Sequence, residues 1–492
     1  MRIFKKIHHF LFYLLILLLP VQLGKHFWPN WALVGGIRID YLSPTIYLTD
    51  LLVVGILVNW SISAALKLKI KYKNFALFKT STIRGVLSGH LGGEKGKAFF
   101  SITNYQLLIT AFFSFFILNI FLAQNRPVAV LKALKITELV LLGVYVKNNL
   151  TIKPSNNLTI LLSITIIYSS LIAWVQFLKQ ASIGGLFWWL GERTFVSSTP
   201  GIAQVVLDGR LMLRPYATFS HPNVLGGYLA VTLSLIVANH MLINTPCLPA
   251  GRNYESRLRN ILKILAVVLG ITALFITFSR TAWIVGGAGI IISLLFSWKW
   301  LKRRERGERW LKRENGLLLV ICLLLFVLFL FLGKERLGQL RFKSESVWLR
   351  KELNQVALSM IKKHPLTGVG LNNFIVSLSQ FKKGLSFKEL QPAHNIYLLI
   401  GAETGLLGLG VFMWLIWLSY RKLFQKNIKT LKHKNKRLLI TNYQLLITFS
   451  AILALGFFDH YFFTLQQTQL LFAIVLGMVF GYDKINESNR PN

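Results

Sequence analysis

The chain is predicted to be an all-α polytopic membrane protein of about twelve transmembrane helices, with one long extracytoplasmic loop between spans nine and ten. Three observations carry this. Hydrophobic residues make up 54% of the 492 residues and only 15% are charged, which is too apolar for a soluble chain of this length. Uncharged runs recur from end to end, each near the roughly 20 residues that a helix needs to cross a hydrocarbon core. The runs also lack the two-residue alternation of barrel strands, and backbone polar groups cannot go unpaired in lipid, so the spans are helices.

Lys and Arg total 56 against 18 Asp and Glu, a formal net charge of +38. In a soluble chain that balance points to nucleic acid. Here the basic residues sit in linkers between apolar runs, where they set orientation by the positive-inside rule, so no nucleic-acid partner is expected. Contact with membrane lipids or with a pyrophosphate-bearing substrate is a second use for the same charge. Cys247 and Cys322 support neither a disulfide framework nor a thiolate metal site. The N-terminus has the basic start and apolar core of a signal peptide but no small-residue cleavage site, and reads as a retained first span.

In order, the spans are expected at residues 7–23, 47–66, 107–123, 128–146, 158–177, 224–242 and 261–278, then directly after a tight turn at Ser279-Arg280-Thr281, then at 317–332, 396–418, 438–458 and 470–480. Residues 1–200 form an N-terminal group, 201–420 the core with the loop 334–393, and 421–492 a C-terminal group. The basic stretch KWLKRRERGERWLKREN, residues 299–315, fixes its side as cytoplasmic. An even number of spans puts both termini in the cytoplasm and every polar motif of interest on the outer face. The octapeptide TNYQLLIT occurs at 103–110 and again at 441–448. The likeness stops at its edges, so it does not mark the duplicated halves of a transporter.

Chemistry is expected where polar segments meet apolar helices. Arg280, in TFSRTAWIVGG, sits at the junction of two apolar runs, where a cation is costly unless partnered. Its guanidinium is a rigid fork of donors suited to phosphate oxygens, so an anionic headgroup is its natural ligand. Arg214, in RPYATFSHPNVLGGYLA, lies just ahead of the sixth span, with Arg210 nearby. His221 reads as a capping or packing residue or as a substrate contact, and Asn223 as a helix N-cap or a substrate contact. Gly226 and Gly227 permit close helix packing. His394 is the candidate base, since a neutral imidazole accepts a proton near neutral pH. Asn395 is placed to orient it or to cap the following helix. Glu403 lies nine residues beyond His394, on the opposite helix face, and is expected to pair with a cation on a neighbouring span, Arg280 being one choice.

No metal or cofactor is expected. Asp208 and Asp459 are isolated and make no carboxylate cage, and no glycine-rich phosphate loop appears. Two arginines can supply the charge neutralisation that a divalent cation would otherwise give.

Taken together, R-P-Y-A-T-F-S-H-P-N, the S-R-T turn, H-P-L-T-G-V-G-x-N-N-F, H-N-I-Y-L and E-T-G-L-L-G-L-G resemble the O-antigen ligase and polymerase superfamily in order and spacing over residues 214–410, and Asp459-His460 fits as well. The resemblance implies a metal-independent, inverting glycosyltransferase of the C type in the bacterial cytoplasmic membrane. It would act on the outer face on glycan carried by polyprenyl pyrophosphate. Arg214 and Arg280 would hold the pyrophosphate, and His394 would activate the acceptor hydroxyl. The acceptor is left open among lipid, glycan and protein, and with it ligase, polymerase and protein oligosaccharyltransferase. The competing class is a flippase for lipid-linked sugars, which would place ionisable groups near the bilayer midplane and show repeat symmetry.

Overall fold

The computed structural model describes residues 2–82, 114–149, 156–207, 209–243, 253–302, 345–382, 389–432 and 436–481. The ninth expected span, residues 107–113 of the third, the first copy of TNYQLLIT, Asp208, both cysteines and most of the basic stretch 299–315 lie outside these residues. What is described is mainly helical, with three two-stranded antiparallel ribbons and irregular connections.

Helices α1 (Arg2–Leu17) and α2 (Leu48–Thr82) pack on each other. The connection between them is pinned by strands β1 (Gly24–His26), β2 (Leu33–Val34), β3 (Ile37–Arg38) and β4 (Thr45–Tyr47), paired β1 with β4 and β2 with β3. After a helical stretch at 114–122 come α3 (Arg126–Asn149) and α4 (Asn156–Lys179). A hairpin of β5 (Gln204–Leu207) and β6 (Arg210–Leu213) leads into α5 (Pro222–Ile243), α6 (Asn253–Ile276) and α7 (Arg280–Lys302). The long polar segment then folds as α8 (Glu345–Lys363) and α9 (Phe374–Phe381). Four more helices close the chain: α10 (Ile396–Lys432), α11 (Lys436–Phe458), the single turn α12 (Tyr461–Thr464) and α13 (Gln466–Gly481).

Four described helices contain stretches long and apolar enough to cross a membrane, Leu48–Lys67, Asn157–Lys179, Leu258–Ile276 and Ile396–Gln425, and five more carry shorter apolar stretches of 10–17 residues. Twelve spans were expected. Residues 128–146 fall short because α3 carries Lys132, Lys135 and Glu138 within that stretch. Nor is 334–393 a plain loop, since its described part holds two helices packed on one another, with α8 also against α10.

Helices in lipid gain little from burying apolar surface against one another, so close approach of backbones has to supply the attraction. The α5–α7 pair shows how. Gly226, Ala230 and Ser234 follow one another at helical spacing on α5, and they meet Ala282, Gly286 and Gly289 on α7. A methyl group added at Gly226 would come within 3.0 Å of Ala282 Cβ, and one at Gly286 within 2.9 Å of Ala230 Cβ. The contact sets the spacing between Asn223, at the start of α5, and Arg280, at the start of α7.

A second device breaks α10. Gly405 adopts φ +66° and ψ −172°, which interrupts the helix. The turn after α8 fills the break: Val369 and Gly370 donate to the carbonyls of Ala402 and Glu403, and Leu406 donates to Pro365. The HPLTGVG and ETG motifs are thus the two sides of one backbone joint.

Candidate active site

The C-terminal ends of α1, α6 and α11 and the N-terminal ends of α2, α5, α7 and α10 meet around one cavity of about 1020 Å³. Its wall includes Arg193, Arg214, Arg280 and Arg350 along with His221, Asn223, His394 and Asp459.

Asp459 is the hub. Its side chain is 9% exposed. Oδ1 accepts from His394 Nδ1 at 3.1 Å and from the His460 amide at 2.9 Å, while Oδ2 accepts from Asn223 Nδ2 at 3.3 Å and lies 3.5 Å from Arg350 Nη2. Burial pushes the carboxyl pKa up, but His394, Arg350 and His460 outweigh it and hold the group well below the usual carboxylate range. An ionised Asp459 requires a proton on His394 Nδ1, which leaves Nε2 as the atom for proton transfer. Nε2 lies 3.1 Å from Gln391 Oε1. That contact holds with the ring doubly protonated, or with the Gln391 amide turned so that its NH2 group donates.

Arg214 follows β6 and is 8% exposed. Its Nε donates to the Thr277 carbonyl at 2.8 Å, and Nη2 donates to Asn223 Oδ1 at 2.7 Å. Asn223 therefore joins Arg214 to Asp459. Helix α5 begins one residue earlier at Pro222, and the Asn223 side chain is spent on this bridge, not on an N-cap. His221 Nδ1 accepts from the Asn223 amide at 3.1 Å, and burial together with Arg214 lowers the pKa of the ring to about 3, so it is neutral.

The chain reverses at Thr277–Ser279 with Phe278 at φ +51°, which makes Arg280 the first residue of α7. A helix N-terminus carries about half a positive charge, so this cation adds to an already positive end. Among the described residues the Arg280 side chain has no carboxylate partner, and the charged neighbour whose field it feels is Arg350. Two guanidiniums facing one cavity form an anion site by charge alone.

The other expected residues lie elsewhere. Arg210 is on β6, exposed and off the cavity wall. Asn395 caps α10, accepting from the amides of Tyr397 and Leu398 at 2.9 and 3.1 Å, and donates to the Phe457 carbonyl at 3.0 Å. It holds the His394 and Asp459 turns side by side. Glu403 is 3% exposed, away from the cavity, with Lys132 on α3 as its charged neighbour. The proposed pairing with Arg280 is not what the structure shows. The Glu403 backbone carbonyl instead accepts from the Gly370 amide, in the turn that fills the α10 break.

Sequence reasoning did not pick out Arg350, Gln391, Tyr41 or Arg193 as site residues. His460, next to Asp459, is also built in. Its Nδ1 bonds Thr464 Oγ1 at 2.7 Å and its ring meets Tyr41 edge-on at 5.5 Å, while burial pushes its pKa down to about 3. Among the described residues, His394, Asp459 and His460 offer ligand atoms within 4.8 Å of one another. Within that group Asp459 Oδ1 is shared by His394 and the His460 amide, and His460 Nε2 lies 3.9 Å from it, while His460 Nδ1 turns away to Thr464.

These features define a class: a polytopic membrane protein with an arginine-lined cavity at one end of its helices and a carboxylate-bound histidine in the same wall. Residues 265–413 match the family model described as O-antigen ligase, under a third of the chain, and this supports membership of the O-antigen ligase superfamily and, at that level, membrane glycosyl transfer. The matched stretch contains Arg280, Arg350 and His394. No curated protein matches the chain.

Proposed function

We propose that the chain is a membrane glycosyltransferase that moves glycan from a polyprenyl-pyrophosphate carrier to an acceptor hydroxyl on the outer face of the bacterial cytoplasmic membrane. The observation that carries this reading is the His394–Asp459 pair, 3.1 Å apart, in the same cavity wall as Arg214, Arg280 and Arg350. The arginines hold the pyrophosphate and neutralise the charge that develops as it leaves. His394 Nε2 takes the proton of the acceptor hydroxyl, and the freed oxygen pair attacks the anomeric carbon. The bond from that carbon to the pyrophosphate oxygen breaks, and the electron pair departs with the carrier. Asp459 stabilises the imidazolium that forms. A single displacement of this kind inverts the anomeric centre. The arginines supply the charge a divalent ion would otherwise provide, so a chelator leaves the rate unchanged.

Of the competing readings, a flippase for lipid-linked oligosaccharide draws on Lys132 and Glu403, an ionisable pair buried between α3 and α10. Purified protein in liposomes with a polyprenyl-pyrophosphate oligosaccharide separates the two. Transfer releases free polyprenyl pyrophosphate and a lengthened or relocated glycan. A flippase returns the donor chemically unchanged.

A further inference from the structure

The cavity has two unlike halves. Beside α5, α7 and α8 it presents the four arginines. Beside α2, α3 and the start of α13 it presents Gln22, Asp40, Tyr47, Glu138, Gln466 and Gln469 and no guanidinium. The two lysines on this side are already engaged. Lys135 Nζ lies 2.7 Å from Asp50 Oδ1 and 2.6 Å from Glu138 Oε2, and Lys132 Nζ donates to the Phe463 carbonyl with the Phe463 ring 4.1 Å away. With Asp40, Asp50 and Glu138 set against two committed lysines, this half does not attract phosphate.

What it does offer is hydrogen bonding without excess charge. Gln22 Oε1 and Glu138 Oε1 are buried acceptor atoms with no hydrogen-bond partner among the described residues. Leaving such an atom unmatched is costly, so a hydroxyl donor on a ligand in this half is favoured at both. His26, Ser43 and Thr45 add a polar rim, with His26 Nδ1 2.7 Å from Ser43 Oγ and 2.9 Å from Thr45 Oγ1, and Trp28 stacks on the His26 ring at 5.7 Å. Tyr41 links the two halves. Its carbonyl is held by Asn372 Nδ2 at 2.8 Å, and its ring meets His460, next to Asp459.

We propose that this second half is the acceptor subsite, and that the acceptor group it takes is an uncharged sugar of a glycan, not a phosphorylated lipid core and not a peptide. The assignment rests on the reading of the arginine half as the donor site. Hydroxyl groups of the sugar donate to Gln22 and Glu138, and one hydroxyl is presented past Tyr41 toward His394.

The test is saturation-transfer NMR on the full-length protein in nanodiscs. The probes are neutral trisaccharides of glucose, galactose, mannose and N-acetylglucosamine, each beside its 6-phosphorylated form. The neutral sugars are expected to bind, with affinity reduced about threefold to tenfold by Gln22→Ala and by Glu138→Gln, the loss of one hydrogen bond each. Arg280→Ala leaves that binding unchanged. Preference for the phosphorylated forms, sensitivity to Arg280→Ala, indifference to both lobe variants, or no binding of any neutral sugar each overturns the proposal. If Glu138→Gln lowers the melting temperature, Gln22→Ala carries the test alone. Whether wild-type protein consumes the lipid-linked donor is measured separately, so failure of the donor reading is told apart from failure of this one.

Discussion

Nδ1 of His394 and Oδ1 of Asp459 lie 3.1 Å apart although 65 residues separate them. The two turns that carry them are tied by Asn395, which caps the helix after His394 and also donates to Phe457, two residues before Asp459. The proposed base and the carboxylate beside it are therefore held together by bonds to the backbone.

Asp459→Asn replaces the ionised acceptor with an amide and removes the charge that supports the imidazolium. The expected outcome is a fall of roughly 10²–10⁴-fold in turnover, with the donor KM changed much less. Kinetics in proteoliposomes check it, and near-wild-type turnover would remove Asp459 from the reaction.

Arg280→Lys keeps the charge but loses the bidentate fork. If the fork holds the pyrophosphate, the lysine variant loses transfer nearly as fully as Arg280→Ala. Full rescue by lysine in a direct comparison of the two variants would show that a point charge suffices.

The sequence exposed this much because each residue carried a visible cost. Arg214, Arg280 and His394 interrupt the margins of apolar runs, where a polar group needs a reason. Arg350 gave no such signal, since it sits beside Lys351 and Glu352 in an ordinary charged helix, and only the packing of α8 turns it toward Asp459. Asn395 was legible as a helix cap, one of its two expected roles, and Glu403 as a residue facing a cation on a neighbouring helix, though Lys132 and not Arg280 is that cation. The turn beside Glu403 fills the break at Gly405, a feature that spacing rules for an unbroken helix do not contain. Spans were read well where the apolar run was long, as in 396–418, and less well in α3, where charged residues line the cavity.

Gly405→Ala tests that joint. A side chain there meets the backbone of Leu366 and Thr367 while φ stays at +66°. The strained conformation alone costs about 1–3 kcal/mol, and the collision adds to it. Lower thermal stability in detergent and loss of transfer are expected together; an unchanged melting curve would contradict the account of the break.

The neutral state of buried His460 gives an acid-stability prediction. Burial lowers its pKa from 6.5 to about 3, so between those values the unfolded chain binds a proton that the folded chain does not. Stability from this group is therefore complete above about pH 6.5 and falls as pH drops toward 3, by at most about 1.4 kcal/mol per pH unit. His460→Gln should flatten that slope in melting curves taken from pH 7 to pH 4. An equal slope in the variant would assign the acid lability to other groups.

The most direct test of the central claim places wild-type protein and His394→Ala in liposomes with a polyprenyl-pyrophosphate oligosaccharide as the only glycan donor, together with free oligosaccharide and membrane-lipid acceptors. Carrier and glycan are then resolved by mass spectrometry. The account predicts that wild-type protein releases polyprenyl pyrophosphate as glycan moves to an acceptor, and that the variant does so roughly 10²–10⁴-fold more slowly while still inserting in the membrane. A donor left intact by wild-type protein, or equal turnover by the variant, would contradict it.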